Sequence, residues 1–291
     1  MPASEFTLEG LRDIIVGRFP ELADERCIMI SEGWDSVAVD VGDRIIFKFP
    51  RHPHGEAALR REVAILGLVG AAVSMRVPVL GLFETPRIFS RHDKIPGEHL
   101  VTTQYDALDE RSRQRLGEVM GQFYAELHRI ELADATASGA LPVETWLGAE
   151  EILRRIQPVL PQALRPFAET TMARWAELAP EPLGMTYGFF DGHGWNMAFD
   201  HAAGRLNGIY DFADSGIGPR HQEFIYSNLI SADLTARIIT AYEGHTGLSI
   251  DRDRVDLLTA VHRLWELAME AHLPAHIDGL LAVLWAWAER R

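Results

Sequence analysis

Asp191 and Asn196 stand five residues apart in Phe190-Asp191-Gly192-His193-Gly194-Trp195-Asn196, across a stretch that holds two glycines. Asp211 closes an apolar run, Leu206-Asn207-Gly208-Ile209-Tyr210-Asp211-Phe212, that reads as a short strand ending in an acid. Moving a phosphoryl group asks little covalent chemistry of a protein. It needs a carboxylate near the attacking hydroxyl and oxygen ligands for the ion that bridges the phosphates. An Asp-x4-Asn loop followed by a hairpin ending in Asp-Phe supplies that set. Each half alone also fits an ordinary turn, where Asp and Asn bond to their own backbone.

Three upstream features would serve a nucleotide. Glu32-Gly33-Trp34-Asp35-Ser36 lies between two β-like runs, and Gly33 would let the backbone approach phosphates closely. Lys48 is a lone cation in the apolar strand Ile46-Phe47-Lys48-Phe49, and Glu62 opens the apolar stripe of the helix that follows. Taken singly these are a turn, a solvent-facing lysine and a surface glutamate. Their order changes the reading: glycine turn, strand lysine, helix glutamate, Pro-Gly connector, Asp-x4-Asn loop, Asp-Phe strand end. Kinases use their parts in that sequence.

The elements that must position these groups change character once along the chain. Helical spacing over 7–19 precedes β-like runs at 27–31, 37–41 and 44–49, the last two joined by a tight Gly42-Asp43 turn. A helix over 56–69 and short strands at 79–83 and 87–90 lead to Ile95-Pro96-Gly97, which ends regular structure. Helical patterns then dominate at 111–129, 163–178, 223–243 with a break, 252–272 and 277–290, interrupted by a hairpin over 196–211. The pattern predicts an α+β bilobal architecture, with a β-rich lobe over 1–95, a mainly helical lobe over 96–291, and the site in the cleft between them.

Composition bounds the class. A chain of 291 residues, 47% hydrophobic and 24% charged, can bury a real core. The segment 1–10 carries Glu5 and Glu9 and lacks a signal-like apolar core, and the apolar run 280–288 is too short to span a bilayer. The single cysteine, Cys27, makes no internal disulfide, which favours a reducing, cytoplasmic setting. A net charge of −14 argues against nucleic acid and suits a cationic small molecule, or simply keeps the protein soluble. His272 and His276 are separated by Pro274 and make a poor metal pair, while Trp265, Trp285 and Trp287 read as core.

These motifs resemble the aminoglycoside phosphotransferases, whose fold is similar to that of protein kinases, and the likeness is nearest the 2″-modifying enzymes. It spans about 31–226. Glu32 to Ala38 with Phe47-Lys48-Phe49-Pro50-Arg51 looks like their phosphate loop and lysine strand, Ile209 to Ile217 like their metal-binding strand end, and Glu223-Phe224-Ile225-Tyr226 like the acid-led helix start beyond it. The resemblance implies that Lys48 contacts the phosphates of ATP or GTP and that Glu62 orients it. It implies that Gly33 and Ser36 cover those phosphates, and that the connector at 91–94 offers backbone groups to the base. Asp191 would accept or orient the acceptor's hydroxyl proton, Asn196 and Asp211 would hold Mg²⁺, and His193 would position. Asp214, Glu223, Glu266 and Glu270 are the carboxylates expected to meet ammonium groups of the acceptor.

One departure stands out. The family usually reads His-Gly-Asp where this chain reads Phe189-Phe190-Asp191, so the loop is expected to be braced by apolar packing of Phe189 rather than by a histidine. Other acceptors, choline-like or methylthioribose-like, stay open. So do a metal-dependent hydrolase using Asp191, His193 and Asp211 directly, and a catalytically silent kinase-like binding protein.

Overall fold

The computed structural model describes residues 6–30 and 36–289; Gly33 lies outside the described residues. Helix α1 (Leu8–Arg18) starts where the Thr7 hydroxyl accepts a bond from the Gly10 amide at 3.1 Å, an N-cap of the usual kind. Beyond it, β1 (Cys27–Ile30), β2 (Ser36–Val41), β3 (Ile45–Pro50), β4 (Gly81–Phe83) and β5 (Phe89–Asp93) form one antiparallel sheet in the order β1-β2-β3-β5-β4. Alternation decides the two faces of β3. Ile45, Phe47 and Phe49 enter a core with Leu11, Ile15, Val37, Val39 and Phe89, which leaves Ile46 and Lys48 on the opposite face.

Helix α2 (Pro53–Ala72) begins earlier than the apolar pattern predicts. Pro53 suits the first turn, and His52 Nδ1 caps it by accepting from the Gly55 amide at 3.0 Å. Its buried face carries Glu62 toward β3 and sends Ile65, Leu66 and Val69 into the central core.

The helical part follows the connector. It comprises α3 (Thr102–Asp106), α4 (Glu110–Leu127), α5 (Leu132–Ala137), α6 (Ala149–Ile156), α7 (Arg165–Ala176), α8 (Ala232–Thr246), α9 (Arg252–Glu270) and α10 (Pro274–Ala288). Two short ribbons interrupt it: β6 (Met185–Gly188) with β9 (Gly216–Pro219), and β7 (Met197–Asp200) with β8 (Arg205–Ile209). The second is the expected hairpin. The first is unexpected, because its strands are four residues each and one of them is half glycine. The helix expected over 223–243 is instead a 3-10 stretch, Arg220–Leu229, followed by α8, whose N-cap Ser231 accepts from the Asp233 amide at 3.2 Å. Nearly every side chain of that 3-10 stretch is buried, so tertiary packing rather than one apolar face sets its path.

Trp265 packs half-buried against Trp146 and His262, and Trp287 is buried, as core aromatics should be. Trp285 is not core: it is 38% exposed and its indole N–H donates to Glu289 at 2.5 Å. Among the described residues no helix is long and apolar enough to cross a membrane.

Helices α4 and α8 pack closely because α4 presents glycine to its neighbour. A Cβ on Gly121 would lie 2.6 Å from the Ala241 Cβ and 2.7 Å from the Ile238 carbonyl oxygen. Gly121→Leu should therefore push the pair apart and lower stability by about 1–3 kcal/mol, the usual range for overpacking, read as a drop in the urea midpoint.

Candidate active site

Lys48 links the two halves of the molecule. Its ammonium lies 3.2 Å from Glu62 Oε1 on α2 and 3.1 Å from Asp211 Oδ1 at the end of β8. The Phe212 amide also donates to Glu62 Oε1, at 3.3 Å, so one buried carboxylate holds both the lysine and the backbone beside Asp211. Burial works against the charge on Lys48, but Glu62 and then Asp211 outweigh it and raise its pKa. Lys48 lowers the pKa of Asp211 in turn, against the cost of burial.

The loop between β6 and β7 carries Asp191. His193 Nδ1 accepts from the Trp195 amide at 3.2 Å, which places the proton of the neutral ring on Nε2, 3.0 Å from Asp191 Oδ1. Asn196 donates its amide to Asp191 Oδ2 at 2.5 Å and to the Asp191 carbonyl at 3.1 Å, leaving its own side-chain oxygen as the group able to ligate a cation. The Tyr210 amide donates to the Asn196 carbonyl at 3.1 Å, so Asn196 and Asp211 lie on adjoining backbone. Burial opposes charge on His193, yet its bond to Asp191, with Glu266 and Asp211 nearby, raises its pKa.

The backbone entering this loop is strained. Phe190 has φ 52° and Asp211 has φ 66°, left-handed values uncommon outside glycine. Phe189 packs fully buried against Phe212, centroids 4.7 Å apart, and edge-on to Phe123 at 6.1 Å. Apolar packing thus braces the loop, as anticipated.

Glu223 does not belong with the acceptor carboxylates. It has no exposed surface and accepts from the Phe189 and Phe190 amides at 2.9 and 3.0 Å, pinning the left-handed turn. Gly188 permits this, because a Cβ there would collide with the Glu223 carboxylate. Behind Glu223 runs a chain that local pattern did not reveal, since its members lie far apart in sequence. Arg220 donates to Tyr242 Oη at 2.8 Å, Tyr242 donates to His128 Nδ1 at 2.9 Å, and His128 Nε2 faces Glu223 at 3.3 Å. Burial holds His128 below its ordinary pKa despite Glu223, so the ring is neutral with one donor and one acceptor to place.

A cleft of about 1170 Å³ gathers Ser36, Lys48, Glu62, Asp191, Asn196, Asp211 and Asp214. Glu266 and Glu270 lie on α9 outside that lining. Burial raises the Glu266 carboxyl to about 7, while the charges of His193 and Asp191 act on it from the loop between β6 and β7. Glu270 accepts from His276 at 2.7 Å. Asn196 and Asp211 suit a small hard cation, which takes one or two protein oxygens and completes its shell with water and phosphate. Among the described residues no group of three or more His, Cys, Asp or Glu side chains is placed to hold a metal ion.

The model of the phosphotransferase enzyme family, APH, matches residues 27–258. None of the curated proteins matches the chain by sequence. Solved structures do. The GDP and kanamycin complex of APH(2″)-IIIa matches with a TM-score of 0.80 at 19% identity, over 98% of this chain and 100% of that one. The streptomycin–ATP ternary complex of APH(2″)-IIa matches at 0.64 with 16% identity, over 95% of each. The macrolide 2′-phosphotransferase MphH from Brachybacterium faecium, as apoenzyme, matches at 0.65 with 16% identity, over 95% and 98%. At such identities the likeness is one of fold.

The buried brace is measurable without any ligand. Glu223→Gln keeps the size but offers one acceptor oxygen to two backbone amides, so it should cost about 1–3 kcal/mol in urea unfolding, the range for a stranded buried donor.

Proposed function

The chain belongs to the phosphotransferase enzyme family, and from that premise we propose that it moves the γ-phosphoryl group of ATP or GTP to a hydroxyl of a small cationic acceptor such as an aminoglycoside, with Mg²⁺ bound by Asn196 and Asp211. The observation that carries this reading is the convergence of Asp191, Asn196 and Asp211 on one cleft with the Lys48–Glu62 pair.

Lys48 meets the nucleotide phosphates, with Glu62 holding its direction, and Ser36 closes over them. Asn196 and Asp211 would hold the magnesium ion, whose positive charge would offset that of the phosphates. Asp191 accepts the acceptor's hydroxyl proton. Each of its carboxylate oxygens spends one lone pair, on His193 or Asn196, and keeps another for the incoming hydroxyl. Those two bonds also fix its rotamer, which is how positioning lowers such a barrier. Asp214 on the cleft wall, with Glu266 and Glu270 on α9, would receive the acceptor's ammonium groups.

Asp191→Asn should lower turnover about 10²- to 10⁴-fold, the range for a general base, while leaving nucleotide-induced thermal stabilisation in place. Asp211→Ala should abolish the magnesium-dependent part of that stabilisation. An ammonium beside Glu266 favours its ionised form, so acceptor KM should fall as pH rises through 7, and Glu266→Gln should flatten that profile. Nucleotide-dependent stabilisation with no turnover over aminoglycosides, macrolides, choline and methylthioribose would overturn the transfer reading in favour of a silent binding protein.

A further inference from the structure

The cleft face of β5 is polar where an apolar strand would carry no penalty. Antiparallel register sets Ser90 opposite Lys48 and His92 opposite Ile46, so both share the face that β3 turns to the cleft. Ser90 has no exposed surface and His92 only 6%, yet Ser90 Oγ and His92 Nδ1 are buried without a hydrogen-bond partner among the described residues. Unpaired buried polar atoms are uncommon in native proteins and call for a cause.

His92 lines the cleft, as do Lys94, Ile95 and Gly97 just beyond it on the connector. With the phosphates at Lys48, as the proposed phosphotransfer requires, His92 lies two residues nearer the connector, about 7 Å along the strand, where the base of the nucleotide would rest. The imidazole is neutral: burial first, and the charge of Lys48 second, hold its pKa at about 4. One of its nitrogens therefore carries hydrogen and the other a lone pair. Nδ1 is sealed with nothing to receive a proton, and an orphaned N–H is rarer in protein interiors than an under-used acceptor. The ring is then best accommodated with its hydrogen on Nε2, the nitrogen left for a ligand to meet.

We propose that His92 reads the purine 6-position as a donor, through Nε2–H, and so favours GTP over ATP as the cosubstrate. Guanine offers an acceptor oxygen at that position, whereas adenine offers an amino group whose hydrogens would meet the imidazole N–H. The inference rests on the phosphotransferase reading and adds a base preference to it.

The test is magnesium-nucleotide affinity by titration calorimetry for wild type, His92→Leu and His92→Gln, with GTP, ITP and ATP as probes. ITP keeps the 6-oxo group and lacks guanine's 2-amino group. Wild type should bind GTP and ITP about three- to tenfold more tightly than ATP, the worth of one hydrogen bond. His92→Leu should erase that ratio, and His92→Gln should shrink it, because the amide can donate or accept. An ATP affinity equal to or above that of GTP in wild type, or a ratio unchanged in either variant, would overturn the assignment of His92 alone. Absence of any nucleotide binding by wild type would overturn the phosphotransferase reading and this inference with it.

Discussion

A cation held between two carboxylates organises the molecule. Lys48 comes from the sheet, Glu62 from the helix packed on it, and Asp211 from the hairpin of the helical part, so their contacts join three elements that have no local reason to meet. A buried ammonium is costly unless fully paired, and one carboxylate would leave part of that cost standing. The bond from the Phe212 amide to Glu62 makes the arrangement directional: it ties the backbone next to the left-handed Asp211 to the carboxylate that also holds Lys48. The same contacts that close the fold therefore set where Lys48, Glu62 and Asp211 stand in the cleft.

The loop that carries Asp191 is held by a different means. Without a histidine ahead of Asp191, its entry strand is wedged by Phe189 between Phe123 and Phe212, and its amides are gathered by Glu223. The chain from Arg220 through Tyr242 and His128 to Glu223 gives every hydrogen a direction, with positive charge at one end and negative at the other. Such a fully satisfied buried network is rigid, and rigidity here keeps a left-handed phenylalanine in place beside Asp191.

How far these features are legible in order along the chain depends on the range of the interaction that makes them. The opening helix, the β2–β3 hairpin and the β7–β8 ribbon arise from local periodicity and turn residues, and they stand close to where the pattern puts them. The β6–β9 pair escapes such reading because two four-residue strands carry no alternation long enough to register. Glu223 is misjudged for a related reason. An acid at an apparent helix start looks solvent-facing, and only the backbone of Phe189 and Phe190, more than thirty residues away, turns it inward. Trp285 errs the other way: an apolar helix suggests burial all round, whereas α10 buries only part of its circumference.

By itself the amino-acid order determined the chemistry available: which side chains carry charge, at what spacing, in what succession from lysine strand to Asp-Phe turn. Those are properties of covalent sequence and local backbone preference. Tertiary structure decided which of the carboxylates share a cleft, which one is sealed behind the loop as a brace, and which imidazole lines that cleft with its Nδ1 buried and unpartnered among the described residues. Proximity between distant residues and the loss of water around them are products of packing, and packing sums contacts over the whole chain rather than over any one segment of it.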